Sequence, residues 1–335
     1  MVSRVRIGFA GVAHFHADSY AQCLKTIPQA EVVGVYEMDR GLASQFSEKF
    51  GMRIYGSIQE MLREVDAVVI TSENVLHYNY AVEAAEGGRH ILCEKPMTVG
   101  LEQADNLVRL VQRKGIKFQM CYVMRYHTVT SLAKELVAHG SIGELLAMTG
   151  TNKLNRSLPL LRKWFTDGSL SGGGAVMDHT VHLSDLMRWY AGSEIVEVYT
   201  EIGRNVNSGI SVEDNFLTTI RMSNRVLGNI DGSWTYSSGH YTWGDVTLEL
   251  LGTLGIIQID AFRQNVSFIG SEKPDDRLSW HYYGCNPDML MVRDFLRCIL
   301  EDAQPLAGVY DGRQGVSVTL ASYESSKLGR AVAPS

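Results

Sequence analysis

The sequence has few of the features that mark membrane-spanning or secreted proteins. Its 335 residues include only five cysteines, with no C-x-x-C pair, and seven prolines. Scattered cysteines in odd number argue against a disulfide framework or a structural zinc site, and they indicate reduced thiols in a cytoplasmic protein. No run of about 18 apolar residues could cross a membrane. The start, MVSRVRIGFAGVAH, has too short an apolar run for a signal peptide.

Charge is also sparse and slightly negative. Charged residues make up 20% of the chain, and the formal net charge is -6. A mildly acidic protein does not attract nucleic acid or an anionic membrane surface, so neither is expected as a partner. Hydrophobic residues make up 45% of the chain, which at this length predicts two domains with proper cores.

Strands and helices alternate in the first 122 residues. The short apolar runs that predict strands covered on both faces are 5–10, 30–36, 66–71, 90–93 and 116–122. The segments that predict helices between them are 18–27, 41–51, 78–88 and 100–115, with glycines placed as C-caps at Gly51, Gly88 and Gly115. This alternation predicts an α/β domain, residues 1–122, with a doubly wound parallel sheet.

The pattern changes from about residue 144. Strand-like runs such as DNFLTTIRM and DVTLELLG now follow one another, and two helices are predicted at 288–302 and 312–332. We therefore expect a second domain, residues 123–335, of the α+β class with a mainly antiparallel sheet and helices on one face.

A possible dinucleotide-binding turn follows the first strand. Of the fingerprint G-x-G-x-x-G, the segment GVAHFH keeps only Gly11, and Ala13 is the smallest departure from the second glycine. Helix N-terminal amides after His14 could still bind a pyrophosphate, although the segment could equally be a plain tight turn.

An acid follows the second strand, about 20 residues after the turn, where NAD enzymes bind the ribose hydroxyls. Glu37 in this place would repel the 2′-phosphate of NADP, whereas Arg40 nearby blurs the preference. NAD is therefore the expected cofactor and NADP a possible one. The alternative is that Glu37 is a plain solvated acid.

The segment RHILCEKPMTVG, residues 89–100, ends an apolar run on a charged pair. Glu94 and Lys95 stand directly before Pro96. Such a pair could lie at a surface strand end for solubility, or it could lie at the carboxyl edge of the sheet, where doubly wound domains bind ligands.

The segment GGGAVMDHTVHLSDL predicts a helix with a polar stripe. From Asp178 onward, Asp178, His182 and Asp185 follow at i, i+4 and i+7, after a glycine triplet that permits a close backbone approach. The acid could cap the helix beside a structural histidine, or it could orient the histidine for proton transfer. With His179, these side chains are also potential metal ligands, but nothing completes a metal shell and no metal is expected.

In this order and spacing, together with ITSENVLHYNYAVEAAEGG, these motifs resemble the Gfo/Idh/MocA family of nicotinamide-dependent oxidoreductases. The resemblance implies a Rossmann domain followed by an α+β domain with a large open sheet, through which members assemble as homodimers or homotetramers. It also implies oxidation of a secondary hydroxyl of a sugar or cyclitol, or the reverse reduction. The alternatives are an NAD-dependent glycosidase that works by transient oxidation, and a non-catalytic NAD(P)-binding regulator.

The resemblance also implies roles for individual residues. Lys95 is catalytic, Pro96 fixes its backbone, often through a cis peptide bond, His182 exchanges the hydroxyl proton, and Asp178 orients substrate and histidine. The residues implied to bind the cofactor are Gly11, Ala13, His14, Glu37, Ser72, Asn74, His77, Glu94 and Lys95. The family usually shows the pattern T-x-N-x-x-H after the fourth strand, and this sequence has Glu73 at the position where the family commonly has a proline. His77 could equally be a structural residue at a helix start.

The substrate is expected to be a small neutral polyol, because no dense cluster of arginines and lysines lies near the motifs. Aromatic faces and basic or amide donors suit a polyol pocket. The candidate substrate residues are Arg125, Lys153, Asn155, Trp164 and His179, each of which could instead be a sheet-face or interface residue.

Overall fold

The computed structural model describes residues 4–240, 242–263, 265–269, 278–282 and 284–335. Its residues form two compact units. Unit 1 consists of Met1–Tyr126, Ser169–Gly172 and Pro287–Val316. Unit 2 consists of His127–Gly168, Gly173–Asn286 and Ser317–Ser335. Each unit combines several segments of the chain, and the single domain boundary after residue 122 stays a prediction.

Unit 1 contains the predicted parallel sheet. Its strands are β1 (Val5–Ala10), β2 (Ala30–Tyr36), β3 (Arg53–Ile54), β4 (Ala67–Ile70), β5 (His90–Cys93) and β6 (Phe118–Met120). They lie in the order β3-β2-β1-β4-β5-β6, and every pair is parallel. The order reverses between β1 and β4, and doubly wound sheets bind ligands at the carboxyl ends of the strands beside such a switch point.

Helices cover this sheet much as the sequence predicted. The first five are α1 (His16–Thr26), α2 (Arg40–Phe50), α3 (Ile58–Leu62), α4 (His77–Glu86) and α5 (Leu101–Lys114). Gly51 and Gly115 end α2 and α5 in the left-handed conformation, at φ 63° and 65°, as expected for C-caps. The short α3 was missed, although Ser57 and Glu60 form the S-x-x-E pattern of a helix start, and the Ser57 side chain accepts the Glu60 amide.

Unit 2 is built on a second six-stranded sheet. Its strands are β7 (Leu145–Asn155), β8 (Ile195–Gly203), β9 (Asn215–Met222), β10 (Leu227–Tyr236), β11 (Thr247–Gly252) and β12 (Ile256–Asp260). They lie in the order β12-β11-β7-β10-β9-β8 and pair antiparallel, except that β7 and β10 are parallel. The sheet is therefore mainly antiparallel, as predicted. A separate antiparallel pair is formed by β13 (Asn265–Ile269) and β14 (Leu278–Tyr282).

The remaining helices are α6 (Thr128–Ala138), α7 (Gly168–Ser171), α8 (Ala175–Ala191), α9 (Pro287–Leu300) and α10 (Val309–Leu328). α8 packs on β10 and β7, and the predicted apolar stripe is buried at Leu183, Leu186, Met187 and Tyr190. Each such side chain contributes about 1.5–3 kcal/mol on burial, so the sheet holds α8 firmly. Among the described helices, none is long and apolar enough to cross a membrane.

Candidate active site

The glycine turn after β1 has a backbone that only glycine fits. Gly11 has φ +78°, and a Cβ built on it would lie 2.3 Å from the Cβ of Ser72. A side chain there would meet both a dihedral penalty and a collision with the segment after β4. The first fingerprint glycine is thus kept because two strand ends approach closely at the switch point.

Hydrogen bonds hold this turn to the ends of two neighbouring strands. The amide of Gly11 donates to Tyr36 O at 2.8 Å, and that of His14 donates to Thr71 O at 2.9 Å. The Val12 amide donates to Glu37 Oε2 at 2.7 Å. The protein's own groups therefore hold the turn in its shape.

Glu37 is buried, with 4% of its surface exposed, so the interpretation as a solvated acid is wrong. Besides Val12, it accepts the Asp39 amide on Oε1 at 2.9 Å. A carboxylate has about four acceptor positions, so two remain for hydroxyl donors such as those of a ribose. The turn and this acid fit a bound dinucleotide.

The segment after β4 contributes polar side chains that bind protein groups. Ser72 Oγ donates to Glu73 O at 3.1 Å, and Asn74 Nδ2 donates to Ser171 O at 2.8 Å. The His77 ring lies 2.7 Å (Nδ1) from Pro96 O and 3.2 Å (Nε2) from Ser72 O.

His77 is fully buried, and burial lowers its pKa even though the Pro96 carbonyl opposes that effect. The neutral ring carries one N–H, which the shorter distance assigns to Nδ1. The structural interpretation of His77 thus has direct support, since it links α4 to the Lys95–Pro96 segment. Its contact with cofactor stays a prediction.

The charged pair after β5 lies inside unit 1. Glu94 is 0% exposed and Lys95 5%, so the surface interpretation of this pair is wrong. The Lys95–Pro96 peptide bond is cis, as the resemblance implied. Glu94 Oε1 accepts the Lys95 amide at 3.0 Å, which fixes the backbone that carries the lysine.

Two histidines lie around Glu94, and one of them, His16, was not predicted from the sequence. His16 Nδ1 lies 3.2 Å from Glu94 Oε2, which also accepts the Tyr20 hydroxyl at 2.7 Å. Burial alone would raise the pKa of the Glu94 carboxyl, but His14, His16 and Lys95 outweigh burial and hold that pKa well below its usual range. Burial tends to lower the pKa of His16, but Glu94 outweighs burial and raises it. His16 occupies the third glycine position of the fingerprint, and this substitution is the signal that could have identified it.

In unit 2, the glycines before α8 make room for the protein's own groups. A Cβ on Gly173 would lie 1.9 Å from the Tyr323 hydroxyl, and one on Gly174 would lie 1.9 Å from Glu213 O. Glu213 Oε1 accepts the amides of Gly174 and Val176 at 2.8 and 3.1 Å, and the Tyr323 hydroxyl at 2.6 Å. A carboxylate from a distant segment thus caps α8.

Asp178 lies in the first turn of α8, which begins at Ala175, so of the two interpretations the one in which it caps the helix is wrong. Its Oδ2 accepts the indole N–H of Trp234 at 3.0 Å and lies 3.5 Å from His179 Nε2. His182, one turn further along, is half-buried. Trp234 therefore fixes the carboxylate, and Asp178 and His182 lie one turn apart on the same helix.

Most of the predicted substrate residues bind protein groups. Arg125 pairs with Asp311 at 2.9 Å, and Lys153 pairs with Asp231 at 2.7 Å. Asn155 Nδ2 donates to Ser237 O at 3.0 Å. Trp164 is buried and stacks on Phe165, with ring centroids 4.0 Å apart, and His179 is buried beside Asp178. Contact of these five with substrate stays a prediction.

Comparison with known proteins shows the family. Residues 5–122 match the model of the oxidoreductase family with an NAD-binding Rossmann fold, and residues 130–258 match that of the GFO/IDH/MocA C-terminal domain. Together the two matches cover most of the chain.

The individual relatives and solved structures share only about a quarter of their residues with this chain. Glucose-6-phosphate 3-dehydrogenase of Bacillus subtilis (strain 168) is 27% identical over 234 residues, 67% of this chain and 65% of that protein, just under two thirds of its length. The scyllo-inositol 2-dehydrogenase (NAD(+)) of the same organism is 25% identical over 340 residues, 97% of this chain and 94% of that protein.

The crystal structure of GenD2 from gentamicin A biosynthesis, in complex with NAD, superposes with a TM-score of 0.90 at 22% identity, over 99% of this chain and 97% of that one. At this identity the superposition shows a shared fold. From the two family matches, the chain belongs to the Gfo/Idh/MocA family and is an NAD-dependent oxidoreductase with a Rossmann cofactor domain.

Proposed function

We propose that the protein is a dehydrogenase that oxidises a secondary hydroxyl of a neutral sugar or cyclitol, or catalyses the reverse reduction. The observation that carries the proposal is the buried lysine after β5, since Lys95 is 5% exposed on a backbone fixed by Glu94 and Pro96. A buried ammonium at the carboxyl edge of a doubly wound sheet is placed where such sheets bind ligands. The name of the inositol relative supports a neutral cyclitol, whereas that of the glucose-6-phosphate relative supports oxidation of a sugar hydroxyl but on a phosphosugar.

Residues of unit 1 would hold the dinucleotide. Gly11, Ala13 and His14 would face the pyrophosphate and Glu37 the ribose hydroxyls, while Ser72, Asn74, His77 and Glu94 line the neighbouring strand ends. When bound, NAD supplies the acceptor for the hydride that leaves the substrate carbon.

The chain's own residues would manage the proton and the developing charge. His182 takes the hydroxyl proton as general base, and Asp178, held by Trp234, orients the substrate and the histidine. Lys95 donates a hydrogen bond to the reacting oxygen and stabilises the charge that develops there.

A neutral substrate is favoured over a phosphosugar. Two of the cations near the motifs, Arg125 and Lys153, already pair with Asp311 and Asp231. A phosphate would have to compete with these carboxylates.

We also propose a cytoplasmic location, supported by five free cysteines, and assembly through the sheet of unit 2.

Replacing Lys95 tests the proposal. We expect Lys95→Met to abolish turnover across a panel of sugars and cyclitols, read as NADH absorbance, while NAD binding by calorimetry changes by only a few-fold. The matched control is Lys117→Met. Lys117 is also a buried lysine, but it precedes β6 and pairs with Asp302 at 2.6 Å, so turnover should survive its loss.

Turnover that persists in Lys95→Met would remove Lys95 from the mechanism. The same panel separates the alternatives. Release of an aglycone without net NADH indicates the glycosidase reaction, and stoichiometric NAD binding without any turnover indicates a regulator.

A further inference from the structure

We propose that His14, His16 and Glu94 form a binding site for one divalent transition-metal ion of the zinc type. The sequence pattern predicts no metal site, and its potential ligands are confined to the polar residues of α8. Among the described residues, each of these three offers one ligand atom, and the three atoms lie within 4.8 Å of one another. His14 and Glu94 are buried and His16 is half-buried, so the group is not a chance meeting of surface acids.

The donor set is the one that zinc prefers. Two imidazoles and one carboxylate are a known three-ligand shell, in which water or substrate takes the fourth position. With metal bonds of 2.0–2.1 Å, neighbouring ligand atoms of a tetrahedron lie about 3.3 Å apart. His16 Nδ1 and Glu94 Oε2 are 3.2 Å apart, so this pair already has the separation of one edge.

His14, the third ligand, needs only a local adjustment to bind the same ion. His14 Nδ1 now accepts the His16 amide at 3.1 Å, and the His14 and His16 ring centroids are 4.4 Å apart. Releasing that hydrogen bond gives up one neutral contact, which is small beside the free energy that zinc gains on binding in structural sites.

Charge near the site has both signs. Glu94 supplies a carboxylate as one of the three ligands. The ammonium of Lys95 opposes a cation, so we expect weaker binding than in a structural zinc site. Glu94 keeps its contacts with the Tyr20 hydroxyl and the Lys95 amide, which orient the carboxylate as an outer shell does for metal ligands.

Metal and dinucleotide would compete for this site. His14 and Glu94 are also assigned to the cofactor, and this step alone rests on the proposed function. The metal-bound protein should therefore bind NADH more weakly, and zinc should inhibit any turnover.

Calorimetry with Zn²⁺ on the chelator-treated full chain tests the site without a measurement of enzyme activity. We expect one equivalent to bind, and Co²⁺ in its place to give visible bands of a tetrahedral site. His16→Ala and Glu94→Gln should each weaken binding by at least about tenfold. The matched controls are His139→Ala, an exposed histidine in α6–β7, and Cys285→Ser, the partly exposed thiol; both should bind as wild type.

The proposal is overturned if the wild-type chain binds no Zn²⁺, or if folded His16→Ala and Glu94→Gln proteins bind it unchanged. It is equally overturned if Cys285→Ser or His139→Ala abolishes binding. Metal binding that leaves NADH affinity unchanged would refute only the competition, and with it the shared use of His14 and Glu94.

Discussion

At the scale of single residues, Gly11 gives the sharpest stability prediction. Gly11→Ala forces a side chain into the left-handed region and against Ser72, and together these should cost about 2–5 kcal/mol. Gly51 is the control, because it has φ +63° but nothing within 4 Å of an added Cβ. Gly51→Ala should therefore lose only about 1–2 kcal/mol. Urea unfolding measures both, and equal losses would mean that the contact with Ser72 is unimportant.

His77 predicts a dependence of stability on pH. Its folded-state pKa is lowered from 6.5 by burial, so the folded state favours the neutral ring. This contribution is fully present above about pH 6.5 and is lost as pH falls through the folded-state pKa, because the unfolded chain binds the proton more readily.

We therefore expect the free energy of unfolding to fall below pH 6.5, and to fall less steeply in His77→Gln. His139→Gln, at an exposed position, should keep the wild-type slope. Urea titrations from pH 7.5 to 5 make the comparison. An unchanged slope in His77→Gln would show that this ring does not couple folding to protonation.

Residues with a local sequence signal were predictable, whereas those defined by distant partners were not. Lys95 and Glu94 follow a buried strand directly, so their position at the sheet edge could be predicted. The bond from Trp234 to Asp178 joins residues 56 positions apart and leaves no trace in local pattern. His16 lies between these cases, because its contact with Glu94 can be predicted only after the parallel sheet is known.

At the scale of elements, the N-terminus of α8 depends on one acid. Glu213→Ala removes acceptors from the Gly174 and Val176 amides, so stability should fall by about 1–3 kcal/mol. Turnover should fall as well, because the first turn carries Asp178, while NAD affinity stays within a few-fold. Tyr323→Phe is the control, since it removes one hydroxyl but leaves both amides bonded. If both variants behave alike, the carboxylate is not the essential cap.

Element prediction succeeded where apolar runs were continuous. β1, β2 and β5 begin and end at the predicted residues, because strands buried on both faces stand out from charged helices. The two-residue β3 and five-residue α3 are too short to show a period. α6 was also missed, and its partly exposed leucines Leu132 and Leu136 give only a weak apolar stripe.

At the scale of the whole molecule, the expected assembly surface is the face of the unit 2 sheet that lies opposite α8. Leu227 and Leu251 flank Ala147 across three neighbouring strands, and Leu217 is 50% exposed on β9. Exposed apolar rows of this kind favour burial against a second copy.

We predict a homodimer or homotetramer that Leu217→Glu dissociates, measured as mass by light scattering. Leu254→Glu is the control, because Leu254 is 78% exposed in the turn between β11 and β12 and outside the strand rows. A wild-type monomer, or equal effects of the two changes, would refute assembly through this face.

Fold class was predictable at this scale, because alternating and consecutive strands each favour one architecture. The parallel pair of β7 and β10 was not, since these strands pair across more than 70 intervening residues and the pattern of a strand does not name its neighbour.

The bond between Glu37 and the Val12 amide has a consequence for attempts to engineer the cofactor preference. The same carboxylate that would select against a 2′-phosphate also braces the turn that would bind the pyrophosphate. Exchanging it for a short neutral residue such as serine removes both functions together, so a protein altered only there would lose affinity for every dinucleotide before it gained a preference for NADP. A productive switch has to supply a new acceptor for the Val12 and Asp39 amides in the same step.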